Sequence, residues 1–159
     1  MENSLNFVSS ARWTNGRNGI ATGHEVQPSI NFSAPPEFQG EAGVWTPEHF
    51  VTAAVATCFV NTFQAIAAFS MFSAMALNVS VEGAVEKGEG GYRFTRVTVR
   101  PELTVQNEAD RERGMRLLEK AEKACLVSRS LNSEIILEPK ILVASAVAAV
   151  VLSGEGASH

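Results

Sequence analysis

The chain has 159 residues, 45% of them hydrophobic and 19% charged, with a formal net charge of −4. That is the size of one domain, spanning 1–159, whose core needs no disulfide staples. Two cysteines and three histidines (His24, His49 and His159) offer neither a disulfide framework nor a metal-ligand spacing, and the acidic balance leaves no basic face for nucleic acid.

From Phe7 to Phe38 short β-prone runs such as Val26 to Phe32 alternate with turn chemistry at Asn15-Gly16, Asn18-Gly19 and Pro35-Pro36, which predicts a hairpin or meander. The segment Thr46-Pro47-Glu48 starts a helix: Thr46 suits the N-cap, Pro47 the first helical position and Glu48 the positive end of the dipole. This helix is expected to run to about Ala76. Residues 49 to 81 contain no Asp, Glu, Lys or Arg. Such a run is long enough to cross a bilayer, but Thr52, Thr57, Asn61, Thr62, Gln64, Ser70 and Ser73 interrupt it and it lacks basic flanks. A helix buried by protein is the better reading, covered by a sheet, by a second copy of the chain, or by both.

Next, Val79 to Val85 and Tyr92 to Val105 flank Lys87-Gly88-Glu89-Gly90-Gly91, which predicts a β-hairpin. Asn107 is placed to cap a second helix, from Glu108 to about Ala124, with Met115, Leu118, Ala121, Ala124 and Cys125 on its apolar stripe. A last strand, Glu134 to Val143, holds Pro139 and so belongs at an edge or a bulge. The tail from 144 is apolar to Leu152 and then flexible in composition. Strands, helix, hairpin, helix and strand make an α+β order. The first residues show no basic region followed by an apolar core, so a cytoplasmic protein, not membrane-bound, is expected.

The chemistry rests on the two thiols. Cys58 lies inside the uncharged helix and Cys125 at the end of the amphipathic one, and a pair on facing elements suits reversible oxidation, in which a sulfenic acid on one condenses with the other. Burial raises a thiol pKa, so ionising Cys58 requires compensation. The helix dipole fades within a turn, and Cys58 is about three turns past Pro47. A guanidinium is the better source: Arg17, in the turn Asn15-Gly16-Arg17-Asn18-Gly19, with Glu48 able to hold it through a bidentate pair. Glu48 and Cys58 are ten residues apart, about 15 Å along a helix. One site containing both needs either a fold-back or a two-fold partner.

Three segments resemble the OsmC/Ohr family, the osmotically induced and organic hydroperoxide resistance proteins: Gly43-Val44-Trp45-Thr46-Pro47-Glu48-His49-Phe50, Ala53-Ala54-Val55-Ala56-Thr57-Cys58-Phe59, and Ala121-Glu122-Lys123-Ala124-Cys125-Leu126-Val127-Ser128. The resemblance covers roughly 7–142. It implies an OsmC-like fold, with antiparallel sheets wrapped around a long central helix, in an intertwined homodimer with its sites at the interface. It also implies a cysteine-based peroxidase without cofactor or metal, in which Cys58 is the peroxidatic thiolate and Cys125 the resolving thiol. Glu48 matches the family glutamate by its Pro-Glu context, and Arg17 matches the arginine-bearing turn, with Arg12 as the fallback. The substrate implied is an organic hydroperoxide, preferred through an apolar pocket formed by side chains such as Phe50, Phe59 and Phe63. The reductant implied is an external dithiol, in one branch a lipoylated protein. Leu126 departs from the proline common after the second cysteine, and the apolar tail lies outside the pattern. The competing reading is a non-catalytic redox sensor or small-ligand binder of the same family.

Overall fold

The computed structural model describes residues 4–145. The chain divides into two compact units, the boundary falling after Val51. The predicted tail beyond Ser145 lies outside the described residues.

The first unit is an antiparallel meander, β1 (Ser9–Asn15), β2 (Asn18–Gly23) and β3 (Val26–Ser33), in the order β1-β2-β3. Only one of the two Asn-Gly pairs marks the first turn. Gly16 takes a positive φ of 48° there, a conformation that glycine adopts at no steric cost. Asn18-Gly19 instead begins β2, where Gly19 pairs with both Trp13 and Phe32.

Helix α1 (Pro47–Phe69) begins in this unit and continues into the second. It ends seven residues short of the expected Ala76. Met71 sits at φ 52°, the Phe72 N–H returns to the Ala67 carbonyl at 2.8 Å, and the Met71 N–H reaches Ala68 at 3.1 Å. These paired bonds close the helix end and turn Phe72 into the core.

In the second unit a long hairpin, β4 (Ala76–Gly88) and β5 (Gly91–Val105), is followed by α2 (Arg111–Ala124), α3 (Leu126–Arg129), β6 (Glu134–Leu137) and β7 (Lys140–Val143). Both β6 and β7 pair parallel to β5. They keep one register, Leu137 opposite Val99 and Lys140 opposite Glu102, so they form a single edge strand interrupted at Pro139 for want of an N–H. The edge position predicted from that proline is observed.

Register explains the core. Val97, Val99, Leu103 and Val105 alternate along β5, opposite Val81 and Leu77 on β4, Ile135 and Leu137 on β6, and Ile141 and Val143 on β7. All these side chains share one face and join one cluster with Val55, Phe59, Phe63 and Ala67 of α1 and Leu117, Leu118 and Ala121 of α2. Burial of Phe59 and Phe63, 1% and 0% exposed, contributes about 1.5–3 kcal/mol each. Gly114 lets α2 approach closely, since a Cβ there would meet Leu103 at 2.9 Å. The opposite face of the sheet carries Arg100 between Glu82 and Glu138, and Lys140 beside Glu102. These exposed pairs contribute little to stability.

Three expectations about the helices change. Asn107 caps only a short 3-10 turn, Glu108–Asp110, and neither it nor Asp110 makes a side-chain capping bond. Ala124 is exposed, and the buried stripe of α2 runs instead through Gly114, Leu117, Leu118 and Ala121. In α1 a single stripe at four-residue spacing is buried, while Thr57, Asn61, Gln64, Ala65 and Ala68 on its remaining surface are exposed.

Candidate active site

The two cysteines meet. Cys58 lies half-buried at the start of the fourth turn of α1, while Cys125 is fully buried at the junction of α2 and α3. The second helix stops at Ala124 because Cys125 is extended, with φ −61° and ψ 112°. Its N–H still bonds Glu122, and its carbonyl accepts from the Arg129 N–H at 3.1 Å and the Ser128 hydroxyl at 3.2 Å. The extended residue turns the chain so that the N–H groups of Leu126 and Val127 bond the Cys58 sulfur.

Around Cys58 the balance differs from the sequence expectation. Burial pushes its thiol up, but hydrogen bonds from the Val127 N–H, the Cys125 thiol, the Thr62 hydroxyl and the Leu126 N–H together outweigh it and hold Cys58 below the usual thiol range. Within the second unit, neutral donors thus offset the burial of Cys58. Cys125 moves the opposite way. Burial raises it, Ser128 only partly offsets this, and a neighbouring Cys58 thiolate raises it further. One thiol is thus disposed to ionise and its partner to keep a proton and donate it in a hydrogen bond.

The first unit holds the other candidates. Arg17 is exposed beside Gly16 in the β1–β2 turn, its carbonyl accepting from the Ala34 N–H at 3.3 Å. Arg12 is an exposed residue of β1 opposite Ile20. Glu48 is the second residue of α1, half-buried, with its Oε2 shielded from solvent. The helix start that carries Glu48 is tightly fixed. Buried Thr46 accepts from the His49 N–H at 3.3 Å, and its own N–H donates to His49 Nδ1 at 3.1 Å. This is a capping box with histidine in the place usual for Glu or Gln. Trp45 stacks on Phe50 at 5.7 Å beside it.

Phe50, Phe59 and Phe63, expected to line an apolar pocket, belong to different units. Phe59 and Phe63 point into the core of the second unit. Phe50 lines a cleft of about 660 Å³ in the first, with Phe7, Val8, Val26 and Ile30. Among the described residues no cluster of His, Cys, Asp and Glu fits a metal ion.

Residues 40–140 match the family described as OsmC-like protein. The chain belongs to the OsmC-like protein family. It is 26% identical over 135 residues to the uncharacterized protein YmaD of Bacillus subtilis (strain 168), covering 83% of this chain and 90% of that one. It is 24% identical over 123 residues to the peroxiredoxin OsmC of Escherichia coli (strain K12), covering 77% and 85%. Among solved structures, an OsmC-like protein of unknown function from Vibrio cholerae matches with a TM-score of 0.75 at 18% identity, over 86% of this chain and 99% of that one. An organic hydroperoxide resistance protein OsmC from Legionella pneumophila matches with a TM-score of 0.71 at 22% identity, over 89% and 100%. At these identities the structures establish the OsmC-like fold, an α+β arrangement of sheets and a long helix.

Two features of this OsmC-like site were not singled out from the sequence. Thr62 follows Cys58 by four residues, a spacing that puts both side chains on one helix face. The amides of Leu126 and Val127 become donors only because the helix breaks at Cys125. Leu126 is the testable one, since its side chain is 69% exposed and proline is sterically acceptable after an extended residue and at a first helical position. Leu126→Pro is expected to raise the Cys58 midpoint by about half a unit to one unit through loss of one N–H, and Leu126→Ala to leave it unchanged. Rates of Cys58 alkylation against pH, read by peptide mass, decide this.

Proposed function

We propose that this OsmC-like protein is a thiol-dependent peroxidase that reduces organic hydroperoxides to alcohols. The observation that carries the reading is the packing of Cys58 against the cluster that holds buried Cys125, and the opposite shifts of the two thiols agree with it. A nucleophile must be ionised, and a resolving thiol must lie within reach of the sulfenic acid it attacks. The names of the relatives, a peroxiredoxin and an organic hydroperoxide resistance protein, support the same chemistry.

In the proposed cycle the Cys58 thiolate attacks the terminal oxygen of the hydroperoxide. The O–O bond breaks, the alkoxide takes a proton and leaves as alcohol, and Cys58 becomes a sulfenic acid. Cys125 then attacks that sulfur, expelling water and closing a disulfide. An external dithiol, of which a lipoyl group is one chemical example, exchanges with the disulfide and restores both thiols while becoming oxidised itself. Arg17, with Arg12 as the alternative, is proposed to orient the peroxide beside Cys58, and Glu48 to hold the arginine. A homodimer is proposed to cover the exposed surface of α1 and to complete the site across its interface.

Intact-mass spectrometry after one equivalent of an alkyl hydroperoxide tests the activity. The expected result is rapid loss of two hydrogens, mapped to a Cys58–Cys125 bridge and reversed by a dithiol. An unchanged mass at both cysteines would overturn the peroxidase reading and favour a non-catalytic ligand-binding role.

A further inference from the structure

Two threonines near the nucleophile on α1 use their hydroxyls differently. Thr57 Oγ1 donates to the helix carbonyls of Ala53 and Ala54 at 2.8 and 3.2 Å, as helical threonines commonly do. The half-buried Thr62 hydroxyl lies instead against the Cys58 sulfur, Oγ1 to Sγ 3.9 Å. Either atom can donate when Cys58 is a thiol. An ionised sulfur has no proton to give, so the Thr62 O–H must then be the donor.

We infer that Thr62 is a positioning residue for the peroxidatic sulfur, its hydroxyl donating to the Cys58 thiolate from the same helix. The inference rests on the proposed role of Cys58 as the nucleophile. The four-residue spacing fixes the direction of approach: Thr62 reaches the sulfur along the axis of α1, whereas Leu126 and Val127 reach it from the α2–α3 junction. The group that titrates beside Cys58 is Cys125, and the remaining donors, Thr62 on α1 and the amides of Leu126 and Val127 on α3, carry no charge. Lys123 and Arg129, which flank the junction in sequence, are exposed.

Ionisation gains most from this hydroxyl because a hydrogen bond to a charged acceptor is stronger than one to a neutral acceptor. After attack, when the sulfur bears an OH, a donor at this distance also holds the sulfenic acid in one rotamer about the Cys58 side chain. Cys125 then meets its target without a search. Thr62 therefore acts on ionisation and on disulfide closure, and neither effect needs a change in the fold.

The test compares Thr62→Val, which keeps the branched shape and removes the hydroxyl, with Thr62→Ser, which keeps the hydroxyl. Alkylation of Cys58 by iodoacetamide across pH, quantified on the Cys58 peptide, gives its midpoint whether or not the protein turns over peroxide. Thr62→Val is expected to raise the midpoint by about half a unit to one unit, and to slow the first oxidation about 3- to 10-fold below it. Thr62→Ser is expected to titrate as the parent does. Coincident midpoints for the parent and a folded Thr62→Val chain would overturn the inference while leaving the peroxidase reading intact, since that stands on the two-hydrogen mass loss. A shift of equal size in Thr62→Ser would also overturn it, by assigning the effect to packing.

Discussion

Cys58→Ser is expected to reduce hydroperoxide consumption by at least about 10³-fold, because a serine hydroxyl is not ionised near neutral pH and cannot accept the oxygen as a sulfenic acid. The parent rate should rise with pH through the Cys58 midpoint and then level off. That midpoint lies below the ordinary thiol range, since the donors at the sulfur favour the thiolate, so the rise belongs on the acid side of a free thiol and the rate is lost as the pH falls through it. The same variant tests assembly. Mixed with a Glu48→Ala chain, itself expected to be impaired, the Cys58→Ser chain should recover part of the activity if each site takes Cys58 from one copy and Glu48 from the other, because one site of the mixed dimer then carries no lesion. Proven mixed dimers with no recovery would sink the shared site. Retention of more than a tenth of the parent rate by Cys58→Ser alone would remove this cysteine from the mechanism.

Cys125→Ser separates the two halves of the cycle. The first oxidation should persist within about 10-fold of the parent, since Cys58 keeps its donors from Thr62, Leu126 and Val127 and the serine offers a hydroxyl in place of the thiol. Sustained turnover with a dithiol reductant should fall by about 10²-fold, because the sulfenic acid then has no partner in the chain and excess peroxide carries it to the sulfinic acid. Rapid-mixing kinetics with dimedone trapping measures both rates. Dimedone adduct on Cys58, absent from the parent under the same conditions, is the expected signature. Unimpaired turnover in this variant would mean that Cys125 is a core thiol only.

Several elements are legible in the sequence. Alternation along residues 92–105 and the glycine-rich turn specify the β4–β5 hairpin, because a strand with one buried face must repeat every second residue. Pro139 marks an edge because it cannot serve as an interior ladder donor. Helix ends were less legible. The stop after Phe69 depends on Met71 taking a left-handed backbone that glycine would have announced, and Phe72 is drawn inward by tertiary packing. The places of Phe59 and Phe63 are illegible for a related reason: pattern identifies them as apolar but does not say which apolar surface they fill.

By itself the sequence determined the family resemblance and the α+β order and marked the two thiols as candidates, since those depend on residue type, spacing and local periodicity. The tertiary structure alone decided which groups offset the burial of Cys58. Side-chain charges are visible in a sequence, which is why a guanidinium is the source that the sequence suggests. Backbone amides are present at nearly every residue, and only the break at Cys125 turns two of them toward the sulfur. The uncharged helix therefore carries a thiol whose burial is offset by hydrogen-bond donors that the fold brings to it.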